Sequence, residues 1–260
     1  MKIARYVVDD EPSYGVVMSE DGEPTWIAEV GGDPLFSKVT ATGRRHELAD
    51  VRLLAPVIPR SKVVGIGDNY AQSAAAKREA GAALSDPPMF LMPNTAVCGP
   101  DDPVVMPTWS SDVHFEGELA VVIGRMCKDV TAEQAAGVVF GYTCANDVTA
   151  RDHLVGGPWA RAKGADGFCP LGPWIETELD PADVEIRTRV DGQTRQEDST
   201  ALLLRPVADL VAAVSRVFTL LPGDVIITGS PAGAGRVEEG QRVEVEIEGI
   251  GTLGNPFVRR

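Results

Sequence analysis

Two glutamates separated by a single glycine, Glu116 and Glu118, lie in a stretch that otherwise has the composition of a buried strand. Residues two apart on a strand share a face, so these carboxylates should line up with Asp112 and His114. Adjacent carboxylates repel each other unless one is protonated or a cation lies between them. Such a pair, joined by a third oxygen ligand, is typical of a site for a hard divalent cation.

Asp147 is the best candidate for that third ligand. It ends an apolar strand, precedes a glycine-rich loop and lies in the polar cluster NDVTARD. The competing interpretation places both glutamates on a solvated strand edge, where they need no cation. Gly117 between the glutamates and the apolar run at 119–123 favour a site.

The elements that must position these residues are mainly short strands. The regular alternation of strands and helices that builds a doubly wound sheet is missing, so we predict an α+β fold that is mainly β. A proline-containing stretch, LLAPVIPRSK, separates a small β-rich N-terminal domain, residues 1–57, from a larger domain, residues 58–260. The clearest local signals are a capping box at 131–134, a hairpin turn at 191–192 and a helix at 207–218.

Composition narrows the class of partner. The chain has 260 residues, a formal net charge of −14 and a pI near 4.6. An acidic surface argues against nucleic acid and anionic membranes as partners. The N-terminus lacks a signal peptide's apolar region and the four cysteines form no C-x-x-C pair, so we expect a cytoplasmic protein with reduced thiols.

Several motifs occur in an order that resembles the fumarylacetoacetate hydrolase family. The resemblance covers roughly residues 60–258, and the N-terminal segment is similar to that of bacterial two-domain members. The motifs are KVVGIGDNYAQSA, PPMFLMPNTAVCGP, HFEGELAVVIG, GYTCANDVTARD, WARAKGADGFCPLGPWI, LPGDVIITGSPAGAG and VEVEIEGIGTLGNP.

The resemblance implies a mixed β-roll with short helices, assembled as a homodimer. It implies Mg²⁺ or Mn²⁺, or Ca²⁺ in a crystal, held by Glu116, Glu118 and Asp147. The substrate would be a small 2-oxo acid whose enolate the metal stabilises as a Lewis acid. Hydrolysis of a C–C bond in an acylpyruvate or fumarylacetoacetate-like compound is the family default, and decarboxylation and isomerisation of hydroxydienoates stay open.

The resemblance also implies roles for individual residues. Arg151 and Lys163 match basic residues that bind substrate or developing negative charge, and both are expected to take part in catalysis. Asp166 would orient Lys163. The remaining expected substrate-binding residues are Tyr70, Thr228, Gly229 and Ser230.

The sequence departs from the family where a water molecule would be activated. Hydrolytic members carry a His–Glu pair in the segment after Asn-Tyr, but Ser73 and Ala76 stand there. Serine is a poor base and alanine cannot act as one. His153 is the first candidate to replace the pair, and His114 and Glu79 are alternatives.

Two further departures bear on the pocket and on the class of protein. Met92 and Leu154 replace a lysine and a glutamine, which predicts a more apolar pocket and a bulkier or less charged substrate. A member that binds metal and a small acid without turnover is the alternative to an enzyme.

Overall fold

The computed structural model describes residues 1–80 and 86–259. The strands are β1 Lys2–Val8, β2 Glu11–Glu20, β3 Glu23–Gly31, β4 Thr40–Glu47, β5 Arg52–Leu54, β6 Val63–Ile66, β7 Met89–Met92, β8 Val97–Cys98, β9 Val104–Met106, β10 Val113–Phe115, β11 Gly117–Ile123, β12 Val139–Asn146, β13 Thr149–Ala150, β14 Cys169–Glu176, β15 Glu185–Val190, β16 Gln193–Ser199, β17 Val225–Ile227, β18 Gly235–Arg236, β19 Arg242–Ile247 and β20 Gly251–Arg259. The α-helices are α1 Ala74–Ala80, α2 Ala132–Ala135, α3 Trp159–Lys163 and α4 Val207–Val217.

The strands form one large sheet and two smaller ones. The large sheet has the order β4-β3-β2-β1-β14-β12-β11-β17-β6-β7, with β5 beside β1 and β8 beside β14. The smaller sheets have the orders β13-β10-β18 and β16-β15-β19-β20-β9. The α+β class, mainly β with a β-rich N-terminal region, is therefore confirmed. Because β1 pairs with β14, the N-terminal strands extend the large sheet, and the division at residue 57 stays a prediction.

Strand β11 explains why an apolar run can end in carboxylates. Leu119, Val121 and Ile123 pack into one hydrophobic core, whereas Ala120 and Val122 pack into a second core on the opposite face. Burial on both faces requires a continuous apolar sequence rather than an alternating one. The single strand expected through the two glutamates is instead two strands, β10 and β11, which meet at Glu116.

The local signals read from the sequence are confirmed. Thr131 and Gln134 form the capping box of α2, and α4 covers most of the predicted helix. Asp191 and Gly192 both have positive φ, as the tight turn between β15 and β16 requires. The four cysteines are unpaired, and no helix in the described part of the chain is long and apolar enough to cross a membrane.

One segment is more ordered than its sequence indicates. The stretch after Asp147 reads as a glycine-rich loop, yet it contains β13 and α3. The residues of α3, Trp-Ala-Arg-Ala-Lys, include strong helix formers, and Pro158 precedes the first turn. This short helix carries Lys163, which is buried.

Candidate metal centre

Three carboxylates meet at the end of the central strand pair. Glu116 lies between β10 and β11, Glu118 lies on β11, and Asp147 directly follows β12, which pairs antiparallel with β11. One oxygen of each lies within 4.8 Å of the other two. Glu118 and Asp147 are each only 1% exposed, so water screens their mutual repulsion poorly.

The ammonium group of Lys163 lies against this cluster. Its Nζ donates to Asp147 Oδ2 at 2.5 Å, to Glu116 Oε2 at 3.0 Å and to Thr149 Oγ1 at 2.8 Å. Burial lowers the pKa of Lys163, but the charges of Asp147 and Glu116 outweigh burial, so the pKa is raised. Lys163 therefore stays a cation and compensates part of the negative charge.

One lysine does not compensate the cluster fully. Asp147 Oδ1 is buried and has no hydrogen-bond partner among the described residues. Burial and the neighbouring charges of Asp147 and Glu116 raise the pKa of Glu118 well above its ordinary value. Burial likewise raises the pKa of Asp147 to about 7, although Lys163 opposes the shift. Three oxygen donors with one unpaired oxygen fit a hard divalent cation.

Backbone and side-chain hydrogen bonds hold Glu116 and Glu118 in place. The N–H of Gly229 donates to Glu118 Oε2 at 2.7 Å. The N–H of Glu116 donates to Asn146 Oδ1 at 3.0 Å, and Thr149 Oγ1 lies 3.2 Å from Glu116 Oε1. Asn146 and Thr149 were missed at the sequence level, although both belong to the polar cluster that pointed to Asp147.

A cavity of about 330 Å³ opens beside the carboxylates. Of the expected substrate-binding residues, it brings together Tyr70, Arg151, Lys163 and Ser230. The hydroxyl of Tyr70 is buried without a hydrogen-bond partner in the described part of the chain, and burial raises its pKa. The other lining residues are Ile66, Gly67, Asp68, Asn69, Ala71, Gln72, Phe90, Leu154, Trp159, Pro231, Ala232 and Ala234, besides the three carboxylates.

Part of the cavity lining is apolar, for a reason that differs in part from the sequence-level prediction. Leu154 lines the cavity as expected. Met92, at the end of β7, is 1% exposed and packs in the hydrophobic core. The apolar wall comes instead from Phe90 and Trp159, whose ring centroids are 5.3 Å apart.

Some expected substrate-binding groups face away from the cavity. Thr228 Oγ1 donates to the carbonyl of Leu119 at 3.0 Å, so its side chain is used within the sheet. Gly229 acts through its N–H on Glu118 rather than as a lining residue. Asp166 is exposed, and Lys163 is oriented by Asp147, Glu116 and Thr149 instead.

The histidines proposed to replace the missing base also lie outside the cavity lining. His153 Nε2 lies 2.8 Å from the carbonyl oxygen of Trp109 and its ring packs edge-on against that indole. His114 Nε2 lies 3.0 Å from Asp112 Oδ1. Ser73 accepts a hydrogen bond from the N–H of Ala76 in the first turn of α1.

Asp68 is a carboxylate that sequence reasoning missed. It lies in the cavity wall, apart from the three clustered carboxylates, with a positive φ of 49°. Asparagine and aspartate are the non-glycine residues that adopt this conformation most readily. Its position directly before the Asn-Tyr pair was the sequence feature that could have identified it.

Comparison with protein families identifies the chain. The model of the fumarylacetoacetate (FAA) hydrolase C-terminal family matches residues 62–258, and that of the Rv2993c-like N-terminal family matches residues 1–56. The first match spans more than half of the chain. The protein therefore belongs to the fumarylacetoacetate hydrolase family.

Three known proteins resemble the whole chain. Protein Rv2993c of Mycobacterium tuberculosis is 50% identical over 266 residues, covering 100% of this chain and 99% of the relative. The 5-carboxymethyl-2-hydroxymuconate delta-isomerase from Mycobacterium smegmatis is 49% identical, with a TM-score of 0.91 and 100% coverage of both chains. The maleylpyruvate hydrolase from Sphingobium sp. SYK-6, solved with manganese(II) and pyruvate, is 31% identical, with a TM-score of 0.81 and coverage of 100% and 99%.

Proposed function

We propose that the protein is a divalent-metal-dependent enzyme acting on an enolisable 2-oxo acid, which it cleaves by C–C bond hydrolysis. The unpaired, buried oxygen Oδ1 of Asp147, within a cluster of three carboxylates at a cavity, carries this proposal. An uncompensated buried carboxylate oxygen is costly, and a bound cation would remove that cost.

Glu116, Glu118 and Asp147 would hold the metal, which we propose to be Mg²⁺ or Mn²⁺ because the donors are all oxygen. A cation bound there would act as a Lewis acid and stabilise the enolate of a 2-oxo acid. The manganese and pyruvate bound to the maleylpyruvate hydrolase relative support this assignment.

The chain's own residues would orient the substrate. Arg151 and Lys163 are the lining cations among the described residues. Arg151 would donate hydrogen bonds to the substrate's anionic groups, whereas Lys163, whose three donors are engaged by Asp147, Glu116 and Thr149, would attract those groups through its charge. Ser230 and the unpaired hydroxyl of Tyr70 would supply neutral hydrogen bonds. Phe90 and Trp159 would exclude water from the cavity beside Lys163.

Asp68 is the group that we propose as proton acceptor in place of the missing His–Glu pair. It is the lining carboxylate outside the metal cluster in the described part of the chain. Hydrolysis requires such a base near the cavity to activate water. His153, the first candidate at the sequence level, has its Nε2 at the Trp109 carbonyl and does not line the cavity.

Isomerisation of a 2-hydroxydienoic acid is the second candidate. It needs proton transfer but no activated water, and no histidine lines the cavity in the described residues. The 49% identical relative from M. smegmatis is named as an isomerase, which favours this candidate. The small-molecule substrate, the homodimer and the cytoplasmic location stay predictions.

Proton NMR of the Mg²⁺- and Mn²⁺-loaded protein tests the proposal. Acetylpyruvate, oxaloacetate and a 2-hydroxydienoate would be supplied in parallel, with a Glu116→Ala variant as the control. Acetate plus pyruvate from acetylpyruvate, lost in the variant, is the expected result. A double-bond shift alone would favour isomerisation, and pyruvate from oxaloacetate alone would favour decarboxylation. Oxalate binding without any turnover would favour a non-catalytic binding protein.

A further inference from the structure

Gln196, on β16, connects the strand of the metal ligands to the loop that lines the cavity. Its Oε1 accepts a hydrogen bond from the N–H of Gly117 at 2.9 Å. Its Nε2 donates to Ser230 Oγ at 2.7 Å and to the carbonyl of Pro231 at 2.8 Å. The side chain is 1% exposed, so these contacts exchange little with water.

These contacts connect Gln196 to one proposed metal ligand, Glu118, by two routes. Gly117 precedes Glu118, and Gly229 precedes Ser230. The N–H of Gly229 donates to Glu118 Oε2 at 2.7 Å, so the loop bound by Gln196 also holds that carboxylate. A shift of Gln196 would therefore move both the backbone before Glu118 and the donor that fixes its carboxylate.

The chemistry of the partners fixes the orientation of the amide. A backbone N–H can only donate, so Gly117 requires an acceptor. The carbonyl of Pro231 can only accept, so it requires a donor. A glutamine provides both at this reach, whereas a glutamate lacks the donor and a methionine lacks both.

Glycines permit the close approach of β15 and β16 to the site. A Cβ atom on Gly117 would lie 2.0 Å from Thr188 Oγ1, and one on Gly233 would lie 2.0 Å from the carbonyl oxygen of Arg195. Two glycines, one on each element that Gln196 connects, therefore face the same hairpin. A larger residue at either glycine would displace the hairpin.

The segment that follows β16 supports a further wall of the cavity. The N–H of Ala71 donates to the carbonyl of Leu202 at 3.0 Å, and Lys77 Nζ donates to the carbonyl of Ala201 at 2.7 Å. Tyr70 forms a β-bridge with Leu203. The β15–β16 hairpin and the segment after it thus contact strand β11, the loop that lines the cavity, and helix α1.

We propose that Gln196 is a positioning residue that keeps the metal-ligand strand and the cavity loop in a fixed relation. The inference rests on the proposed function, because it assigns a role in metal and substrate binding. Gln196 would contact neither the metal nor the substrate directly, and it acts through Glu118 and Ser230. Partners of this kind around a metal ligand change metal affinity by about 10- to 100-fold when removed.

A buried glutamine with a purely structural role is the alternative. Removing it would lower the thermal stability of the metal-free protein but leave the Mn²⁺ affinity and KM of the folded protein unchanged. These two quantities therefore separate the interpretations, and both can be measured below the melting temperature of each variant.

The test compares Gln196→Met, which removes all three hydrogen bonds at similar side-chain length, with Gln193→Met. Gln193 is exposed at the start of the same strand and serves as the matched control. Mn²⁺ affinity would be measured by calorimetry, and kcat and KM with the 2-oxo acid identified by NMR. We expect Gln196→Met to bind Mn²⁺ about 10-fold more weakly or worse and to raise KM, with Gln193→Met unchanged.

Gln196→Glu keeps the acceptor for Gly117 and loses the donors for the loop. We expect it to raise KM while losing less Mn²⁺ affinity than Gln196→Met, and it remains informative if the methionine variant does not fold. Wild-type affinity and KM in a folded Gln196 variant, with only a lower melting temperature, would overturn the inference. Failure of the wild-type protein to bind Mn²⁺ would instead overturn the proposed function.

Discussion

Buried carboxylates lie in two kinds of surroundings in this molecule. In the N-terminal region, Glu29 is paired with Arg44, and its Oε2 lies 2.9 Å from His46 Nε2. Directly before β17 of the large sheet, Asp224 accepts hydrogen bonds from Lys62 Nζ at 2.5 Å and from the Lys62 N–H at 3.2 Å. At the candidate metal centre, Oδ1 of the buried Asp147 has no partner in the described part of the chain.

The pKa values follow the same division. Burial raises the pKa of Glu29, but hydrogen bonds from His46 and Arg44 outweigh it, so the pKa is lowered. At the metal centre burial prevails, and the pKa values of Glu118 and Asp147 are raised. A carboxylate that the chain satisfies stabilises the fold, whereas one that it leaves unsatisfied is suited to a ligand.

The largest expected difference between the two regions is in metal affinity. Asp147→Asn removes the charge of the carboxylate that has the unpaired oxygen and should weaken Mn²⁺ binding by more than about 100-fold, the upper range for partners of metal ligands. Glu29→Gln, which alters a buried carboxylate that does not line the cavity, should leave the affinity unchanged. Calorimetric titration of both variants measures the Mn²⁺ affinity, and equal losses would contradict the expected difference between the two regions.

Asp68 lies in the cavity wall but outside the cluster of three carboxylates, so its substitution separates catalysis from metal binding. Asp68→Asn should lower kcat by about 100-fold, the lower range for loss of a general base, without changing Mn²⁺ affinity. Asp10→Asn is the control, since Asp10 also has a positive φ but lies in an exposed turn. Steady-state kinetics decide the matter, and an undiminished kcat would exclude Asp68 as the base.

Gly117→Ala tests whether the metal centre depends on close packing. The new Cβ would lie 2.0 Å from Thr188 Oγ1, which should cost about 1–3 kcal/mol of stability and weaken Mn²⁺ binding about 10-fold. At Gly137 the nearest atom would be 3.3 Å away, so Gly137→Ala is the matched control. Urea denaturation and calorimetry give both quantities, and an unaltered Gly117→Ala protein would contradict the close approach.

The smallest expected effect is on stability in the metal-free protein, where the contributions of Glu118 and Glu29 should depend on pH in opposite directions. Because the folded pKa of Glu118 is raised, stability falls as pH rises above its ordinary value of 4.5, and Glu118→Gln should gain more stability at about pH 8 than at about pH 5. Because the folded pKa of Glu29 is lowered, its contribution exists above 4.5 and is lost as pH falls, so the cost of Glu29→Gln should shrink in acid.

Urea denaturation across this pH range measures both effects, which we expect to be about 1 kcal/mol. Parallel pH profiles for the two variants would contradict the assignment of one carboxylate to the fold and the other to a ligand.

Sequence reasoning identified the residues whose chemistry depends on local pattern. The Glu-Gly-Glu run and Asp147 were found because they adjoin apolar runs that predict strands, and Lys163 was found because its motif matches the family. Gln196 was not found, because it meets Gly117 across 79 positions of the chain through the packing of a hairpin. A single sequence carries no local trace of such a contact.

Orientation was the other quantity that sequence could not provide. His153 lies two residues from Arg151, yet the single 3-10 turn there places its ring against Trp109. Likewise Thr228 belongs to a loop motif that lines the cavity, but its hydroxyl is bound by the carbonyl of Leu119. Neighbours in a motif can thus face different surroundings.

The measurement that tests the metal centre most directly is anomalous diffraction from crystals grown with Mn²⁺. We expect a single strong peak in the cavity, bonded to one oxygen each of Glu116, Glu118 and Asp147, with Asp147 Oδ1 among the ligands. An empty cluster at saturating Mn²⁺, or a peak bound elsewhere with the three carboxylates unengaged, would contradict it.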